Sequence, residues 1–180
     1  MIRLLFALSC GDKDNDSAST DDSEVTHDSE PEPFAPTWGD WLTVDGETTD
    51  DTCNFEDDDT GAPGGSTITL ADAGEGAFTV TVQGDEGVQT FTCALSEMDF
   101  SCDTQTVLTI DASDLDPEWD AIITGTATPM GSFSDENTMS GQQVVETTCA
   151  GEDCEEVATT AGLTIPCGFT LNFTATYSGG

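Results

Sequence analysis

The sequence predicts an all-β protein. The expected fold is an antiparallel up-and-down β-barrel, with a β-sandwich as the alternative, stapled by disulfides and preceded by a disordered acidic tether. Three observations carry this. Short runs of β-branched and aromatic residues alternate with polar ones between Gly, Asp and Ser turn signals, and no segment keeps an i, i+3, i+4, i+7 apolar period over three turns. Cys53, Cys93, Cys102, Cys149, Cys154 and Cys167 are spread through those runs without C-x-x-C spacing or a nearby histidine, a disulfide pattern rather than a zinc pattern. The charge balance is extreme: Lys and Arg number 2 against 37 Asp and Glu, for a net charge of -35.

That balance bounds the function. The only basic residues are Arg3 and Lys13, and the only histidine is His27. From Trp38 onward there is no cation to neutralise phosphates, so nucleic acid is not an expected partner. Stability there must rest on burial, backbone hydrogen bonds and disulfides, and salt should help by screening self-repulsion. Disulfides in turn place the domain in an oxidising compartment.

The elements follow in order. Met1 to Ser9 has Arg3 and then Leu4-Leu5-Phe6-Ala7-Leu8, too short to span a bilayer and patterned as a short signal peptide. Residues 10–37 form the tether: Asp, Ser, Glu and Pro with little to bury. Asp12, Asp14 and Asp16 sit in it, but Ser17 and Ser23 stand where a calcium loop needs Gly and Glu, so this is solvated linker.

The barrel domain is expected over residues 38–180. Gly39 to Val44 reads as the first strand, with Trp41 as an inward anchor. A long acidic loop, Gly46 to Gly65, carries Cys53 and Asp57, Asp58 and Asp59. Ser66 to Leu70 is the next strand, with Ile68 and Leu70 inward. In Gly76 to Cys102, Phe78, Val80 and Val82 alternate with polar residues, as do Phe91, Cys93 and Leu95. A turn over Ser96 to Asp99 sets Leu95 opposite Phe100 and Cys93 opposite Cys102, placing the two sulfurs for a cross-strand disulfide. Met98 lies in that turn and is expected to be exposed.

Thr106 to Ile110 is a further strand. Asp111 to Asp120 breaks the pattern. Ala121 to Met130 is a Thr-rich strand carrying Ile122 or Ile123 inward. Ser132 to Met139 is a turn or strand edge, and Gly141 to Cys149 runs on. Val144 and Val145 are adjacent and cannot both face in, so the register there is open. Cys149 to Cys154 is a compact loop. Cys167 to Tyr177 is very regular, every odd position being apolar or cysteine, which suggests a sheet that wraps round to meet its start. Beyond Cys93–Cys102, the expected pairing joins Cys167 to Cys149 or Cys154 and leaves the other for Cys53. A loop-closing Cys149–Cys154 bond is the competing arrangement.

Two family resemblances add expectations. Ala7-Leu8-Ser9-Cys10 resembles the lipobox of bacterial lipoproteins, with Ala7 where that family prefers Leu. It implies cleavage before Cys10, lipidation of its sulfur and a membrane anchor. With Gly11 rather than Asp after the cysteine, it also implies an outer-membrane location. Gly39-x-Trp41, the up-and-down order and the length resemble lipocalin-like barrels. The Arg that the family places over that tryptophan has no counterpart here, so the resemblance speaks for a barrel and assigns no ligand.

Chemistry is scarce. A nucleophile needs a base beside it, and the domain has neither His nor Lys. No catalytic residues and no enzyme activity are expected. Asp57, Asp58, Asp59, Asp111, Asp114 and Asp116 offer oxygen ligands, and calcium is the one cofactor they suggest. Trp38, Trp41 and Trp119 are aromatics of the kind that line a ligand or sugar site, but Trp41 is expected in the core and Trp38 and Trp119 over the barrel ends. Phe78, Phe91, Phe100, Phe169 and Phe173 favour a filled interior over one that holds a small apolar ligand. The expected protein is a membrane-tethered extracytoplasmic lipoprotein with a non-catalytic binding or structural β domain, its ligand or protein partner unidentified. The alternatives are a calcium-dependent surface or adhesion module and a carboxylate-dependent hydrolase, whose two carboxyls would stand about 5–10 Å apart across a cleft.

Overall fold

Alternation of apolar and polar side chains becomes a closed wall in the computed structural model, which describes residues 33–53, 66–84 and 87–179. Nine strands form one antiparallel sheet: β1 (Gly39–Thr49), β2 (Thr67–Gly74), β3 (Ala77–Gly84), β4 (Gly87–Ser96), β5 (Asp99–Cys102), β6 (Gln105–Asp111), β7 (Ile122–Asp135), β8 (Thr138–Ala150) and β9 (Cys167–Gly179). Their order is β5-β4-β3-β2-β1-β9-β8-β7-β6, and β5 also pairs with β7. Eight strands therefore close into an antiparallel barrel. The sixth continues the line of the fifth along the same edge of β7. The second half of β7 takes β5 (Phe100 against Gly131), and its first half takes β6 (Ile110 against Ile123). β5 and β6 act as one stave broken at Asp103 and Thr104.

The β1–β9 pairing supplies the expected wrap-around seam, with Thr43 opposite Ala175 and Trp41 opposite Tyr177. The expected register of the β4–β5 hairpin also holds: Leu95 faces Phe100 and Cys93 faces Cys102. Inward residues make one main core that includes Trp41, Leu70, Phe78, Phe91, Phe133 and Met139. At one end the rings interlock. Phe133 lies 5.9 Å from Trp41, 5.9 Å from Phe78 and 5.5 Å from Phe100 between centroids, in the tilted and edge-on arrangements that the ring quadrupole favours. Gly131 and Gly141 face each other on β7 and β8. A Cβ on either would run first into the facing backbone, at Ser140 O or Met130 O, and then into a ring, Phe100 Cζ at 2.9 Å or Phe173 Cζ at 2.8 Å, so close strand approach and the aromatics together keep these inward positions bare.

Several expectations need correction. The segment assigned to the tether up to residue 37 joins the fold from Pro33. The Phe34 ring tilts against Phe133 at 5.5 Å between centroids, the Thr37 N–H donates to Glu136 O, and the Trp41 indole N–H donates to Thr37 O at 2.9 Å. This strap seals the aromatic end, with Trp38 tilted against Phe78 at 6.4 Å. Met98 is half-buried rather than exposed, because its turn leans on the main core. Residues 132–139, expected as a turn or strand edge, are indeed strand and tight turn, closed by Asp135 opposite Thr138. Where the sequence leaves the register open, Ile123 and Val145 are the inward residues, and Ile122 is exposed.

The largest departure is a helix. α1 (Cys154–Ala161) follows the Cys149–Cys154 loop and ends at Gly162, whose φ of 71° gives the left-handed cap. Its Val157 joins Ala112, Ala121 and Ile123 in a second, smaller core, with Ile110, Trp119 and Ile165 packed against it. Trp119 therefore covers this annex and not a barrel end.

Candidate functional site

Three features could carry function: the disulfides, the interior and the acidic rims. All six cysteines of the folded unit are bonded, as Cys53–Cys167, Cys93–Cys102 and Cys149–Cys154. The loop-closing Cys149–Cys154 arrangement wins over pairing of Cys167 with either of them. The reason is topological. The extension of β1 to Thr49 pairs with Thr170 at the start of β9, which carries Cys53 to Cys167. Cys149 at the end of β8 is then left beside the first residue of α1. Cys53, Cys93, Cys102 and Cys167 are buried, while Cys149 and Cys154 are partly exposed.

Inside the barrel, away from the aromatic end, is a cavity of about 80 Å3. Ile68, Val80, Val82, Phe91, Leu171 and Phe173 make it apolar, and Thr43 and Gln143 add polar groups. The Thr43 hydroxyl already donates to Ser66 O at 2.9 Å. A drug-sized ligand takes roughly 300 Å3 or more. Phe78, Phe91 and Phe100 are buried, and Phe169 and Phe173 are half-buried against the same core, so side chains occupy most of the interior.

The acidic residues gather at strand ends and turns, where they organise backbone. Asp111 caps the 3-10 turn Ala112–Asp114, accepting from the Ser113 hydroxyl at 2.6 Å and from its N–H at 3.0 Å. Those bonds, the hydroxyl first, hold its carboxyl below the ordinary 3.8. Asp116 accepts from the Glu118 N–H at 3.0 Å, and Asp153 from the Asp120 N–H at 2.7 Å. Asp114 sits in the turn and is exposed. No group of three or more His, Cys, Asp or Glu side chains among the described residues is arranged to hold a metal ion. Asp57, Asp58 and Asp59 lie outside the described residues, as do Cys10 and the signal-peptide and D-x-D-x-D segments.

The outer wall is largely polar and uncharged along the staves, with Leu42, Val44, Val88 and Ile122 as exposed apolar exceptions on β1, β4 and β7. β9 alternates Thr170, Asn172, Thr174, Thr176 and Ser178 against its inward set. Thr69, Thr81 and Thr90 stand side by side on β2, β3 and β4, and the Thr81 and Thr90 hydroxyls are 3.3 Å apart. A barrel that spans a bilayer needs an apolar band on this outer face, whereas here the apolar side is the inside.

Sequence reasoning missed the annex and the strap. The annex had a signal: Glu155 and Glu156 in a first turn and Gly162 past the end are helix punctuation. The strap had Phe34 and Trp38, which sit among prolines. A comparison of the chain with protein-family models, curated proteins and solved structures finds no match.

Proposed function

We propose that the protein is a membrane-tethered extracytoplasmic lipoprotein whose folded unit works by binding or as structure, without catalysis. The observation that carries this reading is the cysteine arithmetic. The chain has seven cysteines, and the folded unit bonds six of them to one another. That leaves Cys10, the residue that the lipobox resemblance marks for a diacylglyceryl group. Three bonds also suit an oxidising compartment. The hydroxyl-rich outer wall supports attachment through lipid rather than through the barrel. The Gly11 position keeps the outer membrane as the proposed location.

Within the binding class, the small cavity favours contacts on the outer surface over carriage of a ligand inside. Fractionation tests the anchor. Wild-type protein is expected in the membrane pellet, with an intact mass that includes acyl chains, and Cys10→Ser is expected in the soluble fraction. Wild-type protein that is soluble and unacylated would remove the reading.

A further inference from the structure

The break in the β5–β6 stave leaves a seam that no backbone ladder closes. β4 pairs with β5 from Cys93 to Ser96, and the Asp103 N–H reaches Thr92 O at 2.8 Å. Beyond that point β6 turns away and ladders with β7 alone. In an antiparallel ladder, alternate residues aim their N–H and C=O at opposite neighbours. Thr92 aims at β5, so Thr90 and Val88 aim the same way, toward the side on which β6 lies. Their backbone groups have no strand partner among the described residues. Across the seam the Val107 carbonyl is held by a side chain, accepting from Gln89 Nε2 at 3.0 Å. Val88 is 64% exposed. Val107 is half-buried against the main core, and Phe91 is buried within it.

We propose that this seam between β4 and β6 is a docking site for an extended, basic segment of a partner protein, which adds to the Val88–Thr90 edge as a strand. Unpaired strand edges are templates for β-addition, and the backbone supplies the affinity. Charge selects the partner. The folded unit has no cation, the chain carries -35, and Asp103 and Asp111 stand at the two ends of β6. A second copy of this chain brings the same charge and is repelled. An inserted strand would displace the Gln89–Val107 bond, offering its own backbone in exchange, and would turn alternate side chains toward Phe91 and Val107 and the others toward solvent and the acidic ends. The fitting sequence alternates apolar residues with Lys or Arg.

The test uses the full chain and a dye-labelled peptide of alternating Lys and Val. Its comparators are a block peptide of the same composition, an alternating Glu and Val peptide, and the Lys–Val peptide N-methylated on alternate residues. The alternating Lys–Val peptide is expected to bind, weakening in about 0.5 M salt. It should bind about tenfold tighter than the N-methylated and block peptides, the worth of one or two backbone hydrogen bonds. Hydrogen exchange at the Val88 and Thr90 amides should slow in the complex. Thr90→Pro removes an N–H that no ladder uses, so it should keep the fold and lose the binding. Equal binding of the N-methylated peptide, or binding that leaves the Val88 and Thr90 amides unprotected, would overturn the proposal, as would failure of every peptide to bind. If Thr90→Pro does not fold, the N-methylated peptide and the exchange data decide.

Discussion

The two hydrophobic cores were built by different means. The barrel core takes residues from every stave of the ring, is dense with aromatics and encloses the buried Cys93–Cys102 bond. The annex core has four buried residues, Ala112, Ala121, Ile123 and Val157, roofed by Trp119 and fastened by the half-exposed Cys149–Cys154 bond. The first is held by ladders between successive strands that the β1–β9 and β5–β7 pairings close into a ring. The second is held by local chain reversals and a two-turn helix, too short to be stable in isolation. The barrel should therefore set global stability, and the annex should open by itself at lower cost.

Substitutions can break that comparison. Replacing Cys53 and Cys167 by Ala should have the largest effect. Their sequence separation is 114, and a loop of that size is worth about 5 kcal/mol in the chain-entropy model. Trp41→Ala comes next, at about 3–5 kcal/mol. It empties the sealed end and frees the strap that the indole N–H holds. Both should lower the midpoint of the main denaturant transition. Replacing Cys149 and Cys154 by Ala should cost about 2 kcal/mol, because the bond spans a separation of only 5. Val157→Ala removes two methyl groups' worth of burial, about 1.5 kcal/mol. Both should speed hydrogen exchange in α1 first. If either annex change moved the global midpoint as far as Trp41→Ala does, the two cores would be one cooperative unit.

The smallest effect is electrostatic. The Ser113 hydroxyl and N–H lower the Asp111 pKa, so the stabilisation is present above the unfolded value of 3.8 and is lost as pH falls through the folded one. Ser113→Ala should raise the Asp111 titration midpoint, followed by NMR of its carboxyl carbon. An unmoved midpoint would mean that the cap does not form in solution.

The barrel was legible because its information is local and periodic. Phe78-x-Val80, Phe91-x-Cys93 and the odd positions of Cys167 to Tyr177 each define a face, and a one-residue slip would expose all of it. The turn at Glu97 and Met98 then fixed which cysteines meet. The annex was less legible. Helical period needs about three turns to stand out, and α1 has eight residues. Residues 149–154 read as a loop either way, so the choice of partner for Cys149 depended on how far β1 runs, which no local pattern states. The seam was hidden for a related reason. It arises because β7 is long enough to take β5 and β6 in turn, and Asp103-Thr104 carries no mark of that break.

The barrel is closed by its own register and locked by three specific sulfur bonds. Peptide mapping without reduction, on protein extracted with free thiols blocked, tests it most directly. The expected map contains Cys53–Cys167, Cys93–Cys102 and Cys149–Cys154, with no blocked thiol in the folded unit. Cys53 bonded to Cys149 or Cys154, or Cys93 and Cys102 recovered as free thiols, would contradict it.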